Sequence, residues 1–153
     1  MLSIQIKQDI TNWAKYLGLP QKDLGGMPVC PFAMSNLDQY IIQVVDTEQS
    51  IIPNNFELCI YVINFEVSIE SINELCIRLN KNYPDFISLP NHKDRDTYIN
   101  GIQTNNKNYN LILCQSKEKL IAARQMLYKT NYYSYWDKDY LKEILGDNYV
   151  DLD

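Results

Sequence analysis

Hydrophobic positions along this chain follow two different spacings, one typical of helices and one typical of strands. Near the start, Ile6, Ile10 and Trp13 recur every three or four residues, so residues 3–17 are predicted to form an amphipathic helix. The segment FELCIYVINF, residues 56–65, is instead almost continuously apolar and rich in β-branched and aromatic residues. Such a composition predicts a central strand that is covered on both faces.

The remaining elements follow from the same spacings and from capping and turn residues. The predicted order is helix 3–17, strand 38–46, strand 56–65, helix 68–82, strand 86–89, strand 110–115, a helix after Ser116 and a short helix after Asp137. The order α-β-β-α-β-β-α-α, without repeats or a linker, predicts a single α+β domain over residues 1–153.

Within that domain we expect a two-layer sandwich, in which a mixed four-stranded sheet carries helices mainly on one face. A right-handed crossover should make the strands at 56–65 and 86–89 parallel, and hairpin-like neighbours should add antiparallel pairs. Ser68 is the predicted N-cap of the second helix. The inner face of the helix after Ser116 is predicted to use Leu120, Ala123, Leu127 and the aliphatic stem of Arg124.

Composition and charge narrow the class of protein. The 153 residues are 46% hydrophobic and carry a formal net charge of -5. That apolar content predicts a folded chain, and an acidic chain without a basic tract argues against binding to nucleic acid or to an anionic membrane. The longest apolar run, Leu58–Ile63, is too short to span a bilayer, and the N-terminal residues do not resemble a signal peptide. We therefore expect a cytoplasmic protein without a membrane partner.

The segment GGMPVCPFA, residues 25–33, is the strongest candidate site in the sequence. Pro31 disfavours α-helical geometry at Cys30 and suits the first position of a helix, so Cys30 is predicted at or next to an N-cap. Backbone N–H groups there favour a thiolate, while Gly25 and Gly26 let the chain turn tightly and let a ligand approach. Cys30 is therefore a candidate nucleophile or metal ligand. The alternative is a small buried hydrophobic residue beneath the turn.

The other three cysteines fall on predicted core positions. Cys59 and Cys114 lie within apolar strands, and Cys76 lies on the buried stripe of the second helix. Their wide spacing, without a C-x-x-C pair, predicts reduced thiols rather than a disulfide framework.

Residues 91–108 contain little apolar material and are predicted to form one long polar loop, which includes the single histidine of the chain. If the backbone is extended, His92, Asp94 and Asp96 share one face. That pattern suits a transition-metal site, or an acid–base pair in which a carboxylate orients the imidazole. Surface ion pairs with the intervening cations are the other interpretation.

These two segments together make the predicted site, with Cys30 as nucleophile or ligand, His92 as base or ligand and Asp94 as orienter. The residues assigned to catalysis are Cys30, His92 and Asp94. The residues assigned to ligand binding are Gly25, Gly26, Arg95, Asp96 and Asn100. A metal, if one binds, would use His92, Asp94, Asp96 and Cys30. The sequence identifies no cofactor and no substrate.

A cluster of aromatic residues lies near the C-terminus: Tyr132, Tyr133, Tyr135, Trp136 and Tyr140. Packing of this segment across the sheet, or a homodimer contact, would use so much aromatic area. Base stacking on the cluster is not expected, because neighbouring carboxylates cancel the charge of the nearby lysines.

Three features of the chain resemble a bacterial family of unknown function with a Trp…Cys-Pro-Phe-Ala motif. They are Trp13, the tetrapeptide Cys30-Pro31-Phe32-Ala33 and the histidine segment FISLPNHKD. The chain departs from the family pattern at Val29 and around His92, and its composition is similar to that of marine bacterial and viral proteins. The resemblance implies no particular activity. It implies only that Cys30 and His92 act together.

Two classes of function follow from these residues. The first is a small enzyme that acts on a polar metabolite through a site centred on Cys30 and His92. The second is a non-catalytic binding or regulatory module, homodimeric through the Tyr/Trp cluster.

Overall fold

The computed structural model describes residues 4–24, 26, 28, 40–53, 58–130 and 132–145. The helices are α1 (Ile4–Leu17), α2 (Ile69–Asn82), α3 (Lys117–Tyr128) and α4 (Lys138–Leu145). The strands are β1 (Tyr40–Val45), β2 (Leu58–Ile63), β3 (Phe86–Asn91), β4 (Tyr98–Ile99), β5 (Ile102–Gln103) and β6 (Leu111–Ser116). Short 3-10 turns cover Lys22–Leu24, Glu48–Ser50 and Tyr132–Tyr135.

Four strands form one mixed sheet in the order β1-β2-β6-β3. β6 is antiparallel to both of its neighbours, β2 and β3, so β2 and β3 run parallel to each other as predicted. The α+β class, the four-stranded mixed sheet and the order of its main elements are therefore confirmed.

The pairing of β1 corrects the expectation of hairpin-like neighbours. β1 and β2 are parallel, with Tyr40 opposite Leu58 and Val45 opposite Ile63. The connection over residues 46–57 is long enough for a crossover, whereas an antiparallel hairpin would need only a short turn.

The face of the sheet under α2 is closed by a continuous apolar cluster. The N-cap of α2 is Ser68, whose hydroxyl accepts a hydrogen bond from the Ser71 N–H at 3.0 Å, as predicted. Helical spacing then turns one stripe of α2 inward: Ile72, Leu75, Cys76 and Leu79. This stripe packs on the side chains of β2 and β6 that share its face: Cys59, Tyr61, Ile63, Ile112 and Cys114.

The opposite face carries α1 and α3. Ile10 of α1 packs with Ile60, Val62 and Leu111 of the central strands. Leu141 of α4 joins a cluster with the C-terminal end of α3, on the same side. Most helices thus lie on one face as expected, but α2 adds a layer on the other that the two-layer prediction lacks.

The predicted polar loop over residues 91–108 contains a small hairpin, β4–β5. Asn100 and Gly101 have φ values of 48° and 83° and form its two-residue turn, which is the conformation that Asn-Gly favours between strands. Ile99, 2% exposed, packs with Leu24, so the segment contributes to the core. The expectation of a loop with little core material is wrong here.

Among the described residues, no helix combines the length and the apolar character that crossing a bilayer requires.

Candidate functional site

A cavity of about 310 Å³ lies on the α1 and α3 side of the sheet. It is bounded by α1, α3, the strands β3 and β6 and the segment that contains the β4–β5 hairpin. Its apolar lining includes Leu17, Leu89, Ile99, Leu113, Leu120 and Leu127. A volume at the lower end of the range for ligand pockets, with a largely apolar wall, suits a small organic molecule.

Arg124 is the charged residue buried in this wall. Residues 120, 124 and 127 share one face of α3, because they are four and three positions apart, so the arginine takes a core position between Leu120 and Leu127. The whole residue is only 6% exposed. The sequence analysis assigned the aliphatic stem of Arg124 to this inner face, and the low exposure of the whole residue shows that its head group is buried as well.

The Arg124 guanidinium has no carboxylate partner among the described residues. Burial lowers its pKa, and the groups that act in the opposite direction are the phenols of Tyr133 and Tyr128. Neither of these groups is a carboxylate, and arginine keeps its proton. The wall of the cavity therefore contains a positive charge that no described anion neutralises.

Arg95 also lines the cavity but is already paired. Its guanidinium donates to the Glu143 carboxylate of α4, which lines the cavity as well. The Arg95 and Glu143 side chains are 36% and 46% exposed, so this ion pair lies near solvent. It links the segment before β4 to α4 beside the cavity.

Asn105 contributes a second unpaired donor. Its Oδ1 accepts from the Thr97 N–H at 3.2 Å and from Gln103 Nε2 at 3.1 Å, which fixes the orientation of the amide. The buried Nδ2 has no hydrogen-bond partner among the described residues. Asn105 lines the same cavity as Arg124. Buried donors without partners are rare in folded proteins, so a polar group of a ligand is one explanation for this one.

Both tryptophans of the chain line the cavity. Trp13 is held from α1 by a hydrogen bond from its Nε1 to the Thr104 carbonyl at 3.1 Å. Trp136 packs edge-on against Tyr132 and Tyr133 at ring-centre distances of 5.5 and 5.3 Å. Two large aromatic rings in one small cavity provide flat apolar surface for a ligand.

His92 is buried with both ring nitrogens in hydrogen bonds. Nε2 donates to the Val67 carbonyl at 2.8 Å, and Nδ1 accepts from the Asp94 N–H at 3.1 Å. These partners require the neutral ring with its proton on Nε2. His92 touches the cavity wall, but both of its ring nitrogens hydrogen-bond to the protein backbone. This geometry favours a role for His92 in holding the loop in place over a role as a general base.

The two aspartates of the same segment do not join His92 on one face. The backbone turns here, with the Arg95 N–H donating to the His92 carbonyl at 3.1 Å, so the extended conformation that the alternation required is absent over these residues. The Asp94 carboxylate is 72% exposed and 3.9 Å from Nδ1, so its main chain rather than its carboxylate orients the ring. Asp96 pairs with Lys107 at 3.5 Å. No group of three metal-ligating side chains occurs among the described residues.

Gly26 and Asn100, two of the residues predicted to bind a ligand, lie in turns of the chain. Gly26 has a φ of 86° and no atom within 4 Å of the place a Cβ would take, so it serves a turn rather than a close approach. Asn100 donates to the Asp23 carbonyl at 2.6 Å, away from the cavity. Gly25 and Cys30 lie outside the described residues, and the predicted contact between Cys30 and His92 stays a prediction.

The three cysteines assigned to the core are buried free thiols. Burial raises the pKa of Cys76 to about 12 and that of Cys114 to about 11, and it also raises the pKa of Cys59. Thiols in such surroundings are poor nucleophiles at neutral pH.

The aromatic cluster is used within the chain as far as the structure describes it. Tyr132 and Tyr133 are 3% and 4% exposed and pack with Leu127 and Leu141. These two rings therefore pack within the chain, against α3 and α4 rather than across the sheet, and the homodimer contact stays a prediction.

The sequence reasoning missed Arg124 as a site residue. The signal for Arg124 was present, because an arginine stood on the apolar stripe of a predicted helix. Asn105 is one of several polar residues of the 91–108 segment that could hydrogen-bond a small ligand on sequence grounds, and nothing in the sequence distinguishes it from its neighbours.

Comparison with protein-family models, with curated proteins and with solved structures finds no match.

Proposed function

We propose that this protein binds a small organic molecule in the cavity between α1 and α3. Of the two classes predicted from the sequence, this is the binding module, with the ligand in the cavity rather than at the Cys30 turn. The observation that carries the proposal is a preformed cavity of about 310 Å³ with a mostly apolar wall. That wall contains the buried guanidinium of Arg124 and the unpaired Nδ2 of Asn105. Ligand pockets combine these two features.

Binding is better supported than a Cys/His enzyme because of what surrounds His92. A general base needs a ring nitrogen within reach of a substrate proton, and both nitrogens of His92 bind the backbone instead. Asp94 directs its carboxylate into solvent, so it does not complete a catalytic pair. The enzyme hypothesis depends on Cys30 alone.

Intrinsic tryptophan fluorescence tests the proposal directly, because Trp13 and Trp136 both line the cavity. The test ligands are two uncharged aromatic molecules, 3-phenylpropanamide and 3-phenyl-1-propanol. We expect a saturable change in emission and a rise in melting temperature, since a ligand that binds only the folded state stabilises it.

A pair of substitutions on α3 provides the control. Ala123 lines the cavity, while Ala122, its neighbour, is exposed. Ala123→Phe should fill the cavity and weaken binding by at least about tenfold, and Ala122→Phe should leave it unchanged. Equal losses in the two variants would contradict the proposal.

A further inference from the structure

We infer that the ligand of this cavity is a small monocarboxylate with an apolar body, whose carboxylate is bound by Arg124. This inference rests on the proposed function and specifies the chemical class of the ligand. Its basis is the burial of a permanent positive charge, without a described counter-ion, in the wall of an otherwise apolar cavity.

Arg124 carries a buried charge that no described anion balances. A buried ion is stable only when it is paired and hydrogen-bonded, and arginine does not escape the cost by losing its proton. Arg124 is 6% exposed, and Glu143, the carboxylate that lines the cavity among the described residues, already accepts from Arg95. An anion that enters the cavity would provide the missing partner.

The donor geometry of the Arg124 guanidinium favours one type of anion. The guanidinium presents two parallel N–H donors that match a carboxylate. Only one unpaired cation lines the cavity among the described residues, because the charge of Arg95 is balanced by Glu143. One unpaired cation neutralises one negative charge, so a singly charged carboxylate fits better than a phosphate dianion.

Asn105 and the apolar lining of the cavity favour a particular shape for the rest of the ligand. The Nδ2 of Asn105 is an unpaired donor in the same wall and suits a second polar atom of the ligand. The apolar part of the lining consists mainly of leucines, Ile99 and aromatic rings that include both tryptophans, which favours an apolar, flat or branched body. The ligand is therefore amphipathic, with one acidic end.

Matched acid and amide ligands separate this inference from the proposed function. The acid 3-phenylpropionate and its amide have nearly the same shape and differ in charge. At pH 7 we expect the protein to bind the acid at least about tenfold more tightly than the amide, because a hydrogen-bonded pair with a charged group is worth more than a neutral one. Acetate and inorganic phosphate should compete weakly, since neither has an apolar body.

Variants of Arg124 locate the charge. Arg124→Met should bind acid and amide equally, and Arg124→Lys, which retains the charge without the fork, should keep part of the preference. Without ligand, Arg124→Met should melt at a temperature equal to or above that of the unmodified protein, because it removes an uncompensated buried charge. A purely structural arginine would instead give a lower melting temperature.

Each outcome decides between the claims. Equal affinity of the unmodified protein for acid and amide would overturn the carboxylate inference and leave the binding function intact. A preference for acid that survives in Arg124→Met, or phosphate competing as well as the acid, would overturn the inference as well. Failure of both ligands to bind would contradict the binding function itself.

Discussion

The two faces of the four-stranded sheet are completed in different ways. Under α2, the buried polar groups are paired: the Tyr61 hydroxyl donates to the Ile52 carbonyl at 2.6 Å, and the Ser88 N–H donates to Asn80 Oδ1 at 2.7 Å. On the side of α1 and α3, Arg124 is buried without a described counter-ion and Asn105 retains an unpaired donor. One face meets the rule that buried polar groups have partners, and the other departs from it beside a cavity.

This difference indicates where stability and function are placed in the fold. The α2 face forms a continuous cluster, in which Ile72 and Ile112 are fully buried. The other face is packed under α1 but leaves space between α1 and α3, over Leu89 and Leu113. Departures from complete packing and pairing are expected at binding sites, where the ligand completes both.

The largest expected contrast comes from one substitution made on each face. Leu75→Ala on α2 should lower the free energy of unfolding by about 3 kcal/mol, because it creates a void in a closed core. Leu120→Ala on α3 should cost about 1 kcal/mol, since its side chain is partly exposed and already borders the cavity. Urea denaturation of both variants measures the difference. Equal losses would show that the two faces are packed alike.

Alkaline pH should lower the stability of the fold mainly through the cysteines buried under α2. The pKa of Cys76 rises to about 12 and that of Cys114 to about 11, from an ordinary value of 9.0, so the unfolded chain releases these protons first. Stability is therefore complete below pH 9 and falls as the pH rises through 9 towards these folded values. By pH 10 the raised pKa of each thiol should lower the free energy of unfolding by about 1 kcal/mol.

Cys76→Ala tests that assignment. The variant should lose stability less steeply between pH 8 and pH 10 than the unmodified protein, because one raised pKa has been removed. Equal slopes in the two proteins would mean that other groups, such as the tyrosines, determine the alkaline behaviour.

Most of the fold was predictable because its elements have strong local signals. The apolar run of β2, the Ser68 cap and the stripe of α2 each identify their element without tertiary information. The β1–β2 pairing was not predictable in the same way, since the length of a connection permits a crossover without requiring one. The Asn100-Gly101 turn was visible in the sequence, between Ile99 and Ile102, but the polar surroundings obscured it.

The site was less predictable than the fold. The asparagines of the 91–108 segment suggested solvated loop, yet Asn91 donates to the carbonyls of Asn106 and Tyr109 at 3.0 and 3.1 Å and holds the ends of the segment together. Such side-chain-to-backbone bonds depend on tertiary contacts that spacing does not reveal. The extended stretch that would place His92, Asp94 and Asp96 on one face is absent because the chain turns at that place, although the Asp94 carboxylate still lies 3.9 Å from the His92 ring. Of the residues assigned to ligand binding that the structure describes, Arg95 is the one that lines the cavity.

The most direct measurement of the central claim is an NMR titration of the arginine side chains. The chain has three arginines, Arg78, Arg95 and Arg124, so three Nε–Hε signals suffice, and Arg124→Lys assigns the third. On addition of 3-phenylpropionate at pH 7, the Arg124 signal should shift and exchange more slowly with water, while those of Arg78 and Arg95 change little. The corresponding amide should produce no such change. An Arg124 signal that ignores the acid, or responds equally to the amide, would contradict the assignment of this cavity to an organic anion.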